Sequence, residues 1–156
     1  ADDVLPPETL EILSLVADFD AVLATGHVSA AEHFAVAREF ARRGKLLVTH
    51  AMEELAGPNL SRAECVELAE LGAHIELCAL TCCGFLATRP PAELAACSQA
   101  VGIDRATLGS DFGQAQNEHP APGLQTYADA LYDAGLSEAE IRRMACTNPT
   151  RLLGVS

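Results

Sequence analysis

Short apolar runs alternate with longer amphipathic segments along the chain. Pro7 to Val16 places Leu10, Ile12, Leu13 and Val16 at apolar positions with proline near its start, which predicts a helix. Asp18-Phe19-Asp20 turns into a short strand, Ala21 to Thr25, ending at Gly26-His27. Ser29 and Glu32 have the spacing of a capping box, in which the serine oxygen accepts from an orphan backbone N–H and the glutamate reaches back. The helix it opens runs to about Arg43, and Gly44 is expected as its C-terminal cap.

The cycle then repeats. Lys45 to Val48 is a strand ending at Thr49-His50, and Ser61 with Glu64 caps a helix to about Leu71, followed by Gly72. His74 to Leu80 is a third strand, Ala92 to about Ala100 a helix, and Ala106 to Gly109 a fourth strand ending at Ser110-Asp111. A helix from about Leu124 to Ala134 ends at Gly135, Ser137 with Glu140 caps another, and Asn148-Pro149 starts a last turn from Thr150 to Leu153. Four strands alternate with helices and no hairpin signal lies between them. The expected fold is α/β, a parallel sheet with right-handed crossovers.

A closed eight-stranded barrel of this kind needs about 200 residues or more, and the 156 residues here carry half that many βα units. The chain also begins without Met. The expectation is one domain, residues 1–156, forming part of a longer (β/α) barrel, with a self-standing four-stranded layer as the structural alternative.

Composition narrows the partners. Ala, Leu and Val dominate a hydrophobic fraction of 49%, aromatics make up 4%, and the formal charge is −12 with ten basic residues. Phosphate binding needs clustered Lys and Arg, so nucleic acid and anionic membranes are not expected partners. No run approaches the roughly 20 apolar residues of a membrane span, and the acidic start lacks the basic region of a signal peptide. A cytoplasmic protein with a small-molecule substrate is expected. The six cysteines contain no CxxC pair and read as free thiols, with the adjacent Cys82 and Cys83 open to a soft metal or oxidation.

In parallel βα architectures the reactive groups gather where strands end and loops begin. Those positions hold His27, His50, Glu76 or Cys78, and Asp111. Two imidazoles and a carboxylate form a donor set preferred by zinc and similar divalent ions. Each position also has a plainer use: a histidine can hydrogen-bond a loop carbonyl, His27 can shape its loop, and Asp111 can form a turn or cap. Glu76 lies inside its strand and needs a partner, as a ligand or a supporting group. Gln114 and Asn117 follow Asp111 in a polar loop and could meet a substrate. His33, beside Glu32 and Arg38, reads as surface; His74 starts its strand, at the far end from the others; His119 lies in a loop that could close as a lid.

With these residues in hand, four segments resemble the amidohydrolase superfamily: Ala24 to Ser29 (ATGHVS), Val48 to Ala51 (VTHA), Leu108 to Gly113 (LGSDFG) and Asn148 to Gly154 (NPTRLLG). The TGHVS, VTH and GSD segments together resemble an uncharacterised amidohydrolase-related group. The resemblance runs from about residue 10 to 154. It implies a TIM-type barrel of which these are strands five to eight, with His27, His50 and Asp111 as metal ligands. The family's first-strand HxH pair and its bridging residue on the fourth strand have no counterpart here. One ion or two is therefore open, zinc being implied with manganese or iron as alternatives.

The activity implied is hydrolysis of an amide-like or cyclic-amide C–N bond by water activated at the metal, Asp111 accepting the proton. The alternative is a non-catalytic half-barrel that binds a partner and uses these residues structurally. An aldolase or phosphate-binding lyase would need a strand-end lysine or Gly-rich phosphate loop. Neither is present. Exposed apolar edges on a half-barrel would also allow a homo-oligomer.

Overall fold

Four short strands pair in the order β1-β2-β3-β4, all parallel. The computed structural model describes residues 5–55 and 57–155. Its elements are α1 (Pro7–Asp18), β1 (Val22–Ala24), α2 (Ala30–Phe40), β2 (Lys45–Val48), α3 (Arg62–Leu71), β3 (His74–Cys78), α4 (Pro91–Val101), β4 (Ala106–Gly109), α5 (Pro120–Asp133), α6 (Glu138–Arg142) and α7 (Asn148–Leu153). This is the expected βα alternation, a sheet of four units from a (β/α) barrel. The sheet is open, with β1 and β4 as its edges.

Register divides the side chains between two faces. Alternation sends Leu46, Val48, Ile75, Leu77, Ala106 and Leu108 to the helix-covered side, where all six are buried. Phe40, Leu68, Leu94 and Leu131 close over them from α2, α3, α4 and α5. Each such side chain contributes about 1.5–3 kcal/mol on full burial, so this single layer holds the sheet to its helices. Leu47, His74, Glu76 and Thr107 lie on the opposite face, paired across strands as Leu47 with His74 and Glu76 with Thr107.

All three capping boxes form as the Ser-x-x-Glu spacing predicts. Ser29, Ser61 and Ser137 donate their backbone N–H groups to Glu32, Glu64 and Glu140 at 2.8 Å, and each glutamate N–H returns to the serine Oγ at 3.3 Å. Gly44 departs from expectation. Helix α2 ends at Phe40, and Gly44 does not take a left-handed conformation. A Cβ there would stand 2.3 Å from the Phe40 ring, so this glycine is required by close approach and not as a cap. Strand β3 also stops earlier than predicted, because Ala79–Thr81 forms a 3-10 turn and Leu80 donates instead to the Ser110 carbonyl at 3.1 Å.

The Asn148-Pro149 motif has a structural task. Pro149 has no N–H to return to the preceding turn, and the chain from Arg143 to Thr147 widens into a π-helical turn leading into α7. Asn148 Nδ2 donates to the carbonyls of Ile103 and Ala106, each at 2.7 Å, pinning α7 to the start of β4. Replacing Asn148 with Ala removes the donor that both carbonyls share and is expected to cost about 1–3 kcal/mol. Thermal unfolding of wild type and Asn148→Ala checks this; an unchanged midpoint would show that the two bonds do not hold the edge strand.

Candidate functional site

Two threonines join the ends of β1 and β2. Thr49 N–H donates to Thr25 Oγ1 at 3.1 Å, and Gly26 N–H donates to Thr49 Oγ1 at 3.0 Å. Each hydroxyl accepts from the other loop, so the segments carrying His27 and His50 move as one. His33 completes the network. Its Nδ1 lies 2.9 Å from the Ser29 carbonyl and its Nε2 3.0 Å from Thr25 Oγ1. A carbonyl only accepts, so Nδ1 carries the proton, and Nε2 accepts from the Thr25 hydroxyl. The expectation that His33 is a surface residue is therefore wrong. It is fully buried, because the face it shares with Ala37 and Phe40 turns inward under the loop after β1.

Across that joint, the His27 and His50 rings meet with centroids 4.6 Å apart and planes tilted by 47°. His27 is exposed and His50 is 5% exposed. Both His50 ring nitrogens are buried without a hydrogen-bond partner among the described residues. A buried polar group left unpaired costs about 1–3 kcal/mol, and in a neutral ring one of these nitrogens suits an acceptor while the other suits a donor or a cation.

The backbone of His50 is held in the left-handed region at φ 35°. Glu76, one strand over, accepts the His50 N–H at 3.1 Å through Oε2. The partner demanded by a carboxylate inside a strand is thus a backbone amide. Gly109 makes room for it: a Cβ there would lie 2.9 Å from Glu76 Oε1. The loop beyond His50 wraps round buried Glu53, which accepts from the Leu55 N–H at 2.9 Å and the Gly57 N–H at 2.6 Å. Gly57 is itself obligatory, since a Cβ would meet the Glu53 and His50 carbonyls at 2.8 Å.

Asp111 stands at the end of β4, also left-handed at φ 52°, and is exposed. Asp and His enter this region more readily than most residues, yet two strand-end positions sharing it is a local strain retained at the same end of the sheet. Cys78 lies between. Burial pushes its thiol well up, and the Glu76 and Asp111 carboxylates push the same way. Gln114 Oε1 accepts from Asn117 Nδ2 at 2.6 Å, and Asn117 Oδ1 accepts from the Phe85 N–H at 3.2 Å, so Gln114 orders the loop after Asp111. His119 precedes α5 as its N-terminal flanking residue. His74 sits at the other end of the sheet beside Lys45 and Arg105, lining a cavity of about 510 Å³.

The structure therefore brings His27 and His50 together, with Glu76 behind His50. Asp111 shares their end of the sheet without joining them: among the described residues, no three His, Cys, Asp or Glu side chains are grouped closely enough to hold a metal ion. Thr25, Thr49 and Glu53 were not singled out from sequence, and His33 was read as surface. The available signal was a threonine close before the histidine in both segments, two positions ahead in ATGHVS and one in VTHA.

The fold is shared with known enzymes. An amidohydrolase from Burkholderia multivorans with bound zinc matches at TM-score 0.70 and 20% identity, over 97% of this chain and 58% of that one. N-acetyl-D-glucosamine-6-phosphate deacetylase from Mycobacterium smegmatis matches at 0.62 and 18%, over 96% and 43%. The 2,6-dihydroxybenzoate decarboxylase from Rhizobium matches at 0.64 and 13%, over 97% and 56%. The chain thus spans between 43% and 58% of the length of these proteins. At these identities the likeness is one of fold. The model of a family of unknown function, DUF6282, matches residues 1–76, just under half of the chain. No curated protein matches.

Burial holds the His33 imidazole below its ordinary value of 6.5. The fold thus favours the neutral ring. Its contribution to stability is complete above the unfolded value and is lost as pH falls from about 6.5 toward the lower folded value. Midpoints of urea unfolding between about pH 7.5 and pH 5.5 should fall for wild type and fall less steeply for His33→Gln, which keeps a donor and an acceptor but does not titrate; the slope that remains includes His74, which burial also holds below its ordinary value. Parallel slopes in the two proteins would remove His33 as the source.

Proposed function

We propose that this chain carries the catalytic end of a metal-dependent hydrolase acting on a small molecule with an amide-like or cyclic-amide C–N bond. The observation that carries the reading is His50: two buried ring nitrogens without partners, packed against a second histidine at the next strand end. A neutral imidazole nitrogen with nothing to bond is the donor that a divalent cation uses. The donor chemistry of His27 and His50 suits such an ion, and Asp111, which shares their end of the sheet without joining them, would have to close on the pair to complete the set; zinc is favoured by the bound zinc of the Burkholderia protein that shares the fold. When bound, the ion supplies a Lewis acid that polarises a carbonyl and acidifies water.

The chain's own residues do the remaining work. Glu76 fixes the His50 backbone amide and so the point from which the ring projects. The Thr25–Thr49 pair holds the two imidazoles at one separation. Asp111, exposed and without a hydrogen bond among the described residues, is free to accept a proton at its carboxylate and return it to the leaving group. Gln114, ordered by Asn117, faces the same end of the sheet and would contact substrate. Ester hydrolysis and decarboxylation use similar groups, and the deacetylase and decarboxylase that share the fold make both reasonable members of a substrate screen.

Elemental analysis of the purified full-length protein tests the metal. Near-stoichiometric zinc, manganese or iron is expected in wild type and none in His50→Ala. Asp111→Asn is expected to retain the circular dichroism of wild type and lose turnover. Wild-type protein without metal would favour the non-catalytic binding role, and an active Asp111→Asn would overturn the proton path.

A further inference from the structure

The 3-10 turn after β3 ends in two adjacent thiols, and they face each other. Neighbouring side chains in a helical turn diverge, but at Cys82 the backbone leaves the turn at φ −135°, ψ −11°. Cys82 and Cys83 N–H groups both donate to the Ala79 carbonyl, at 3.0 and 2.7 Å, which fixes that departure. The two Sγ atoms lie 3.5 Å apart. Both residues are partly exposed, unlike Cys65, Cys78 and Cys97.

The separation selects a chemistry. Two thiolates on one centre with bonds of about 2.3 Å and an angle of about 90–110° stand about 3.3–3.8 Å apart. The observed pair lies within that interval in its resting state. A structural zinc ion would need four donors, and among the described residues no third His, Cys, Asp or Glu completes the group. The match is to a centre satisfied by two sulfurs.

We propose that Cys82 and Cys83 form a chelating dithiol site for a thiophilic centre of low coordination number, of the trivalent organoarsenical class. In its hydrated form the arsenical carries two hydroxyls on arsenic. Two As–S bonds form, two As–O bonds break, and each thiol proton leaves with a hydroxyl as water; no atom changes oxidation state. Within the pair, the hydrogen bond from Cys82 lowers the Cys83 thiol, which supports Cys83 as the first attacking sulfur. The site is independent of the strand-end histidines and of their reading.

Phenylarsine oxide is the probe. Titrated into the native full-length protein under reducing conditions and read by intact mass, it should bind once per chain, survive a monothiol competitor and leave with a dithiol. Losing one of two chelating sulfurs should weaken binding by about a hundredfold or more, in Cys82→Ser and in Cys83→Ala alike, with circular dichroism unchanged. Cys65→Ser and Cys97→Ser should bind as wild type does. An unlabelled wild type, an adduct retained in both turn variants, or one lost in Cys97→Ser would overturn the assignment.

Discussion

The two hydrogen bonds exchanged by Thr25 and Thr49 are the constraint on which the candidate site depends. Parallel strands end with backbone groups that the ladder no longer satisfies, and each loop must find them partners. Here each threonine hydroxyl takes an N–H from the neighbouring loop, at 3.0 and 3.1 Å. The solution is reciprocal, so neither loop can shift without orphaning a group on the other. His27 and His50 inherit their separation from it. His33 then locks the Thr25 hydroxyl from beneath, which links the protonation of a buried ring to the stiffness of the joint.

A second constraint comes from Glu76. Its carboxylate holds the His50 amide, and it has space only because residue 109 lacks a side chain. Three strands therefore meet in one interaction: the acceptor is on β3, the donor just past β2, and the vacancy on β4. The left-handed turn at His50 is unfavourable alone and is retained because these neighbours over-determine it. Strain, support and the unpartnered imidazole coincide at a single residue.

Local signals explain what could be read from sequence. The Ser-x-x-Glu boxes and the strands Lys45–Val48 and Ala106–Gly109 are set by spacing within a few residues, and they appear as expected. The positions of His27, His50 and Asp111 at strand ends follow from the same alternation. What stayed hidden depends on tertiary neighbours. His33 looks polar beside Glu32 and Arg38, yet Ser29 and Thr25 give it two partners and bury it. Gly44 has the placement of a helix cap, yet it is the Phe40 ring that excludes a side chain. Glu53 gives no periodic cue, because its partners are amides of its own loop.

The division of each strand between two faces explains why packing and chemistry do not compete. Along β3, Ile75 and Leu77 are buried against the helices while His74, Glu76 and Cys78 alternate with them. A slip of one residue would bury a carboxylate under α4 and lift two aliphatic side chains out of the core. At about 1.5–3 kcal/mol for each aliphatic lost, and more for an unpaired buried charge, that slip is prohibitive in a domain of marginal stability. The apolar face therefore fixes the register of the polar one. Glu76 reaches His50, and Gly109 lies beside Glu76, because Leu46, Val48, Ile75 and Leu108 leave the strands no other alignment.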